Sequence, residues 1–183
     1  MAPSGSSPSL PPDDLVDLVD GGRVILVLGE ADLGKTSLVT RLANEATARG
    51  ESVGIVDADV GQSEIGPPTT IALGSVERTL HRPAEATRIA LYFVGATSPA
   101  ANLLAVVVGT RKMLDRALAA GFDRVLIDTS GLVAGDLGQR LKHAKIDLVD
   151  PDVLVCLQRA TECEPILRRY AAGGRPRVVR LAP

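Results

Sequence analysis

A glycine-rich loop that follows an apolar run is the feature that most constrains what this chain can fold into. Residues 24–28 read Val-Ile-Leu-Val-Leu, a run typical of a strand buried on both faces. The next eight residues, 29–36, read Gly-Glu-Ala-Asp-Leu-Gly-Lys-Thr, and residues 35–49 have the apolar spacing of a helix. A strand, this loop and a helix in that order predict a phosphate-binding loop (P-loop).

Each part of the loop has a physical role in binding phosphate. The two glycines let the backbone turn its N–H groups toward phosphate oxygens, and the helix N-terminus adds a positive end. Lys35 would reach the β- and γ-phosphates, and Thr36 would offer its hydroxyl to Mg²⁺. We therefore expect a nucleoside triphosphate, ATP or GTP, and Mg²⁺ to bind here. The candidate nucleotide-binding residues are Gly29, Glu30, Ala31, Asp32, Leu33, Gly34, Lys35, Thr36 and Ser37.

The loop alone does not name a reaction, because ATPases, GTPases and small-molecule kinases share it. Partition-type ATPases carry a second lysine early in the loop, where this chain has Glu30. That subgroup is therefore disfavoured.

Two carboxylates follow the next predicted strand, residues 53–56. Asp57 and Asp59 are two residues apart on an extended segment, so their side chains point to the same side. At the carboxyl end of a parallel strand beside the P-loop strand, both would face the γ-phosphate. A carboxylate in that place can accept a proton from an attacking hydroxyl, and Gln62 can orient a hydroxyl or a water.

A third polar segment follows the apolar residues 125–127. Asp128 ends that predicted strand, and Gly131 comes three residues later. We expect Asp128 to hold Mg²⁺, in part through water, and Gly131 to let the backbone approach the γ-phosphate. The candidate metal ligands are thus Thr36, Asp57 and Asp128.

The remaining chain alternates between strand and helix patterns. Further strands are expected at 69–73, 89–94, 153–157 and 178–179, and further helices from Ser98-Pro99 to about residue 120 and at 164–171. This order predicts an α/β fold, a P-loop NTPase three-layer sandwich with a mainly parallel sheet. Residues 1–20 are expected to form a disordered tail and a short helix, and residues 21–183 the P-loop domain.

Composition excludes several classes of protein. The 20 Lys and Arg nearly balance the 22 Asp and Glu, which argues against a protein that coats nucleic acid by bulk electrostatics. Only 2% of the residues are aromatic, which argues against a surface that stacks several bases. No apolar run approaches the ~20 residues that span a membrane. Two cysteines and no recognisable signal peptide fit a cytoplasmic protein.

Four stretches together resemble the polynucleotide 5′-hydroxyl kinase family, the P-loop RNA kinases of pre-mRNA cleavage, tRNA splicing and pre-rRNA processing. They are residues 56–68 (Val-Asp-Ala-Asp-Val-Gly-Gln-Ser-Glu-Ile-Gly-Pro-Pro), 92–99, 127–133 with Gly138-Gln139, and 150–153. The resemblance covers residues 20–182 in order. It implies transfer of the γ-phosphate to the 5′-hydroxyl end of RNA, or of DNA.

The resemblance also implies roles for individual residues. Lys35, Asp59 and Gln62 would be catalytic, with Asp59 taking the proton of the hydroxyl. Thr129 and Gly131 match the threonine and glycine of the family's T-x-G-W substrate clasp. Thr97 and Ser98 begin a predicted helix near the expected acceptor site and would contact the acceptor if the helix N-terminus grips its phosphate, although simple N-capping is an equal alternative.

The chain departs from the family at two places. Leu132 stands where the clasp has its tryptophan, and the chain ends at Pro183, before the family's R-x-x-x-R lid. We therefore expect a P-loop domain truncated before the lid. A kinase is the leading interpretation. A nucleotide switch that signals to a protein and a non-catalytic nucleotide-binding scaffold remain alternatives, although no guanine-reading N/T-K-x-D motif is present.

Overall fold

A single seven-stranded sheet forms the centre of the protein in the computed structural model, which describes residues 20–183. Its order is β4-β3-β2-β5-β1-β6-β7. The strands are β1 Val24–Gly29, β2 Val53–Ala58, β3 Thr70–Val76, β4 Thr87–Phe93, β5 Arg124–Thr129, β6 Val153–Leu157 and β7 Arg177–Leu181. The five strands from β2 to β7 pair in parallel, whereas β3 and β4 pair antiparallel at one edge. The prediction of a mainly parallel sheet is confirmed.

Helices cover both faces of the sheet, as predicted. The helices are α1 Lys35–Ala48, α2 Leu103–Ala119, α3 Gly135–Val149 and the short α4 Glu164–Leu167. Helix α1 packs its apolar side with one half of the core, and the other three helices pack with the second half. Every residue of β1, β2, β5 and β6 is buried, because helices lie above and below these strands. Among residues 20–183, no helix combines the length and apolar character needed to cross a membrane.

The register of the parallel strands aligns their polar carboxyl ends. Asp57 on β2 lies opposite Asp128 on β5, and Asp128 in turn lies opposite Val27, two residues before the P-loop begins. The three sequence motifs therefore meet at one edge of the sheet, where ligands bind in open α/β folds.

The predicted helix start at Ser98 is wrong. Residues Pro99–Ala101 form a single 3₁₀ turn, and Ser98 makes no capping hydrogen bond. Helix α2 begins at Leu103, since the side chain of Asn102 accepts a hydrogen bond from the Ala105 N–H (3.3 Å). The Asn102 amide also donates to the carbonyl of Val94 (3.0 Å), which ties the helix start to the end of β4.

Helix α3 is absent from the sequence prediction. Its buried side includes Lys142 and Lys145, two charged residues that interrupt the apolar spacing on which helix prediction depends. No side-chain cap marks its beginning, and Asp150 ends it in the left-handed conformation (φ 50°) that glycine usually takes. At the C-terminal end, the helix predicted for 164–171 is helical only over Glu164–Leu167. The expected tail and short helix at residues 1–20 fall outside the described residues, apart from Asp20, which lies in a turn.

Candidate active site

Two glycines of the P-loop stand where the backbone disfavours any other residue. Gly34, just before α1, has φ 85°, a left-handed conformation that side chains resist. A Cβ on Gly29 would lie 2.5 Å from the Leu157 carbonyl oxygen, so glycine is needed where the loop leaves β1. Lys35 is buried, and its Nζ donates to the Glu30 carbonyl within the loop (2.6 Å). Leu33 packs into the core beneath the loop, while Ala31 and Asp32 are exposed.

Thr36 and Asp128 form the pair expected of a magnesium site. The Thr36 hydroxyl donates to Asp128 Oδ2 at 2.6 Å, which joins the first turn of α1 to the end of β5. The other carboxylate oxygen, Asp128 Oδ1, is buried without a hydrogen-bond partner among the described residues. Burial raises the pKa of Asp128 to about 6, and the nearby charges of Asp57 and Asp59 add to this rise. A buried, unpaired carboxylate oxygen is an acceptor that a cation or its water would satisfy.

Asp57 is committed to the loop after β2. Its Oδ2 accepts hydrogen bonds from Ser63 Oγ (2.9 Å), Glu64 N (2.7 Å) and Ile65 N (3.0 Å), and Oδ1 accepts one from Asp59 N (3.3 Å). Burial raises the pKa of Asp57, although these hydrogen bonds act in the opposite direction. Because the loop uses both oxygens, the geometry does not support Asp57 as a metal ligand and gives it an anchoring role.

Asp59 and Gln62 face the P-loop across one cavity. This cavity, of about 340 Å³, is lined by Asp32, Gly34, Lys35, Thr36, Asp59 and Gln62. Asp59 is half-buried, and its Oδ1 accepts hydrogen bonds from the N–H groups of Gly61 (3.1 Å) and Gln62 (3.2 Å). These bonds fix the orientation of the carboxylate. Ser37, also predicted to bind nucleotide, lines a neighbouring cavity of about 570 Å³ with Thr36.

The predicted acceptor residues lie at different depths. Thr97 and Ser98 are exposed, and the Thr97 carbonyl lies beside Gly61, so this segment borders the Asp59 turn. Thr129, in contrast, is fully buried, and its hydroxyl donates to the Val27 carbonyl (2.8 Å). The Thr129 side chain is therefore used inside the protein, and the geometry does not support its direct contact with an acceptor.

Gly131 is held against the P-loop. A Cβ at this position would lie 2.4 Å from the backbone nitrogen and 2.7 Å from the Cα of Ala31. Because backbone atoms cannot move aside as a side-chain end can, any residue larger than glycine would displace the loop.

Replacing Gly131 with Ala is expected to weaken nucleotide binding at least about tenfold and to lower the free energy of unfolding by about 1–3 kcal/mol. Gly173→Ala is the matched control, since a Cβ there would meet only the Arg175 carbonyl at an ordinary 3.6 Å. Isothermal titration calorimetry with nucleotide and thermal unfolding would measure both effects. Equal nucleotide affinity in the two variants would contradict the assigned contact.

Two buried lysines beneath the site are absent from the sequence prediction. Lys142 Nζ donates to Thr129 Oγ1 (2.7 Å) and to the Ser130 carbonyl (2.5 Å), and Lys145 Nζ donates to the Ala58 carbonyl (3.2 Å). Burial lowers the pKa of Lys142 well below its ordinary value, and that of Lys145 to about 8. Their three-residue spacing was the only available signal, and recognising it required knowing that residues 135–149 form a helix.

The fold and the loop define a P-loop nucleotide-binding protein. Residues 29–182 match the family described as "mRNA cleavage and polyadenylation factor CLP1 P-loop". The chain belongs to this CLP1 P-loop family, which agrees with the resemblance derived from the sequence.

Comparisons with individual proteins agree with this assignment. The chain is 40% identical over 147 residues to a polyribonucleotide 5′-hydroxyl-kinase of Pyrococcus horikoshii, covering 80% of this chain and 40% of the relative. It is 32% identical over 158 residues to the polyribonucleotide 5′-hydroxyl-kinase Clp1 of Xenopus tropicalis, covering 80% and 36%. The solved structure of a Clp1p–Pcf11p complex aligns with a TM-score of 0.71 at 13% identity, covering 92% and 46%, which supports the shared fold. The chain thus spans about 40% of the length of the archaeal relatives it matches.

Proposed function

We propose that this chain is the P-loop part of a polynucleotide 5′-hydroxyl kinase, which transfers the γ-phosphate of ATP or GTP to the 5′-hydroxyl end of RNA or DNA. The observation that carries the proposal is the shared cavity. Asp59 and Gln62, the residues we propose as base and orienting amide, line this cavity together with Lys35 and Thr36 of the P-loop, which supports the proposal. The names of the relatives support the same reaction.

In the proposed reaction, Lys35 and the loop N–H groups bind the β- and γ-phosphates, while Asp59 accepts the proton of the acceptor 5′-hydroxyl. Gln62 orients that hydroxyl. The hydroxyl oxygen then forms a bond to the γ-phosphorus as the bond from this phosphorus to the β–γ bridging oxygen breaks, and a nucleoside diphosphate leaves. The loop amides of Gly61 and Gln62 keep Asp59 directed toward the hydroxyl.

Thr36 and Asp128 fit a magnesium ion. No group of three or more His, Cys, Asp or Glu side chains in residues 20–183 forms a metal site by itself. Mg²⁺ commonly takes one or two protein oxygens and completes its shell with phosphate oxygens and water, which matches this sparse pair. When bound, the ion supplies positive charge that stabilises the phosphate oxygens.

The two alternatives predict different products. A nucleotide switch would hydrolyse nucleotide without labelling an oligonucleotide, and a scaffold would bind nucleotide without either reaction. The names of the relatives favour the kinase over both. One structural neighbour was solved as a complex of Clp1p with Pcf11p, which supports adding a protein partner to the proposal.

The test is incubation with γ-labelled ATP or GTP and 5′-hydroxyl RNA and DNA oligonucleotides. We expect label on the oligonucleotide with wild type and its loss in Lys35→Ala and Asp59→Asn. Released labelled phosphate without labelled oligonucleotide would reject the kinase in favour of the switch. Nucleotide binding with neither product would favour the scaffold.

A further inference from the structure

Lys142 and Lys145 are the most unusual residues in the core of the described chain. Their exposed fractions are 0% and 1%, and they are among the largest fully buried side chains of residues 20–183. Burying a lysine amine is costly, and a core position is ordinarily filled by an apolar side chain of similar size. Within residues 20–183 the hydrogen bonds of both lysines go to carbonyls and a hydroxyl, not to a carboxylate, and the more distant charges of Asp59 and Asp128 offset only part of this cost.

Each lysine holds one of the two strand ends that carry the site. Lys142 binds Thr129 and Ser130, directly after the metal-site residue Asp128 and directly before Gly131. Thr129 in turn donates to Val27 of β1, so one chain of hydrogen bonds joins α3, β5 and β1 below the P-loop. Lys145 binds the carbonyl of Ala58, the residue between Asp57 and Asp59.

The two contacts come from one side of one helix. Because the lysines are three residues apart, they lie on the same face of α3 and reach neighbouring strands β5 and β2. Helix α3 thereby ties the segment of the candidate base to the segment of the candidate metal site.

We propose that Lys142 and Lys145 are positioning residues for phosphoryl transfer, which hold Asp59 and the Asp128–Gly131 segment in register with the P-loop. This proposal rests on the proposed function. The hydrogen bonds of both lysines go to residues outside the lining of the nucleotide cavity, so their removal acts on the reaction step more than on nucleotide affinity. A misplacement of about 1 Å at a reacting centre lowers rates by about 100-fold.

Methionine variants separate positioning from plain stabilisation, because methionine fills similar volume without the buried amine. In Lys142→Met and Lys145→Met we expect kcat to fall about 10- to 100-fold, with the KM for nucleotide within about threefold. We expect Tm to stay within about 3 °C of wild type or to rise, because a costly buried polar group is removed. The control is Lys112→Met. Lys112 is an exposed lysine of α2 whose amine lies over the ring of Tyr92 on β4, and its replacement should leave kcat, the KM for nucleotide and Tm unchanged.

The experiment measures phosphate transfer to a 5′-hydroxyl oligonucleotide, hydrolysis of nucleotide without an acceptor, and Tm for all four proteins. An unchanged kcat in both methionine variants overturns the proposal. A variant that does not fold also overturns the proposal, as does one whose activity falls only in proportion to its folded fraction. In both cases the lysine contributes to stability and not to positioning. The wild-type protein by itself tests the proposed function, which fails if no oligonucleotide is labelled. In that event, the ratio of nucleotide hydrolysis by each variant to hydrolysis by wild type still tests whether the lysines position the site.

Discussion

Asp59→Asn is expected to lower the rate of phosphate transfer by about 100- to 10,000-fold, the range typical for removal of a general base. Asparagine keeps an oxygen that can accept the hydrogen bonds from Gly61 N and Gln62 N, so the turn should keep its shape. It cannot accept the proton of the acceptor hydroxyl. The affinity for nucleotide should therefore change by no more than about threefold, because the P-loop contacts are untouched.

Single-turnover transfer and equilibrium nucleotide binding would measure these two effects separately. Asp136→Asn is a suitable control, since this aspartate is exposed in the first turn of α3 and lies outside the cavity. If the rate of phosphate transfer falls by less than about threefold, the assignment of Asp59 as the base is contradicted. A matching loss of nucleotide affinity would instead place Asp59 in nucleotide binding.

Asp128→Asn is expected to have opposite effects on activity and on the stability of the metal-free protein. Transfer should fall at least about 100-fold, because the carboxylate proposed to hold Mg²⁺ is lost. Stability measured in EDTA at pH 7.5 should rise by about 1–2 kcal/mol, which corresponds to a Tm higher by about 2–8 °C in a chain of this size. The gain arises because a buried carboxylate with an unpaired oxygen is replaced by a neutral amide.

The raised pKa of Asp128 determines how the stability gain of Asp128→Asn depends on pH. The folded protein holds the Asp128 proton more tightly than the unfolded chain, since the pKa rises from 3.8 to about 6. The stability contributed by this group is therefore fully present below pH 4 and is lost as the pH rises through 6. The advantage of Asp128→Asn should be large at pH 7.5 and should shrink toward zero at pH 4, as thermal unfolding in EDTA at both pH values would measure. A constant advantage at both pH values would contradict the buried, unpaired carboxylate.

The sequence was most informative where one local pattern decides the structure. The run before Gly29, the loop and the helix after Lys35 lie next to each other in the chain, so strand, turn and helix signals agree. The alternation of elements was enough to predict the layers. The partners of Asp57 and Asp128 lie farther along the chain or on other elements, which is why their separate roles required the structure.

Other features depend on tertiary contacts that no local pattern encodes. Helix α3 was missed because two of its core positions hold lysines, whose burial is tolerated only through contacts with β2 and β5. Helix α2 begins after Asn102 and not at Ser98, because the Asn102 side chain bonds both the first turn of the helix and the carbonyl of Val94, which follows β4. In each case, a hydrogen bond to another element of the fold outweighs a local preference.

The most direct test of the central claim is the location of the transferred phosphate. Wild type would be incubated with γ-labelled nucleotide and a 5′-hydroxyl oligonucleotide, and the product would be digested completely to 5′-mononucleotides. We predict that all oligonucleotide label lies on the mononucleotide derived from the first residue, and that none forms with an oligonucleotide already phosphorylated at its 5′ end. Label found only as free phosphate, or equal label with the blocked oligonucleotide, would contradict a 5′-hydroxyl kinase.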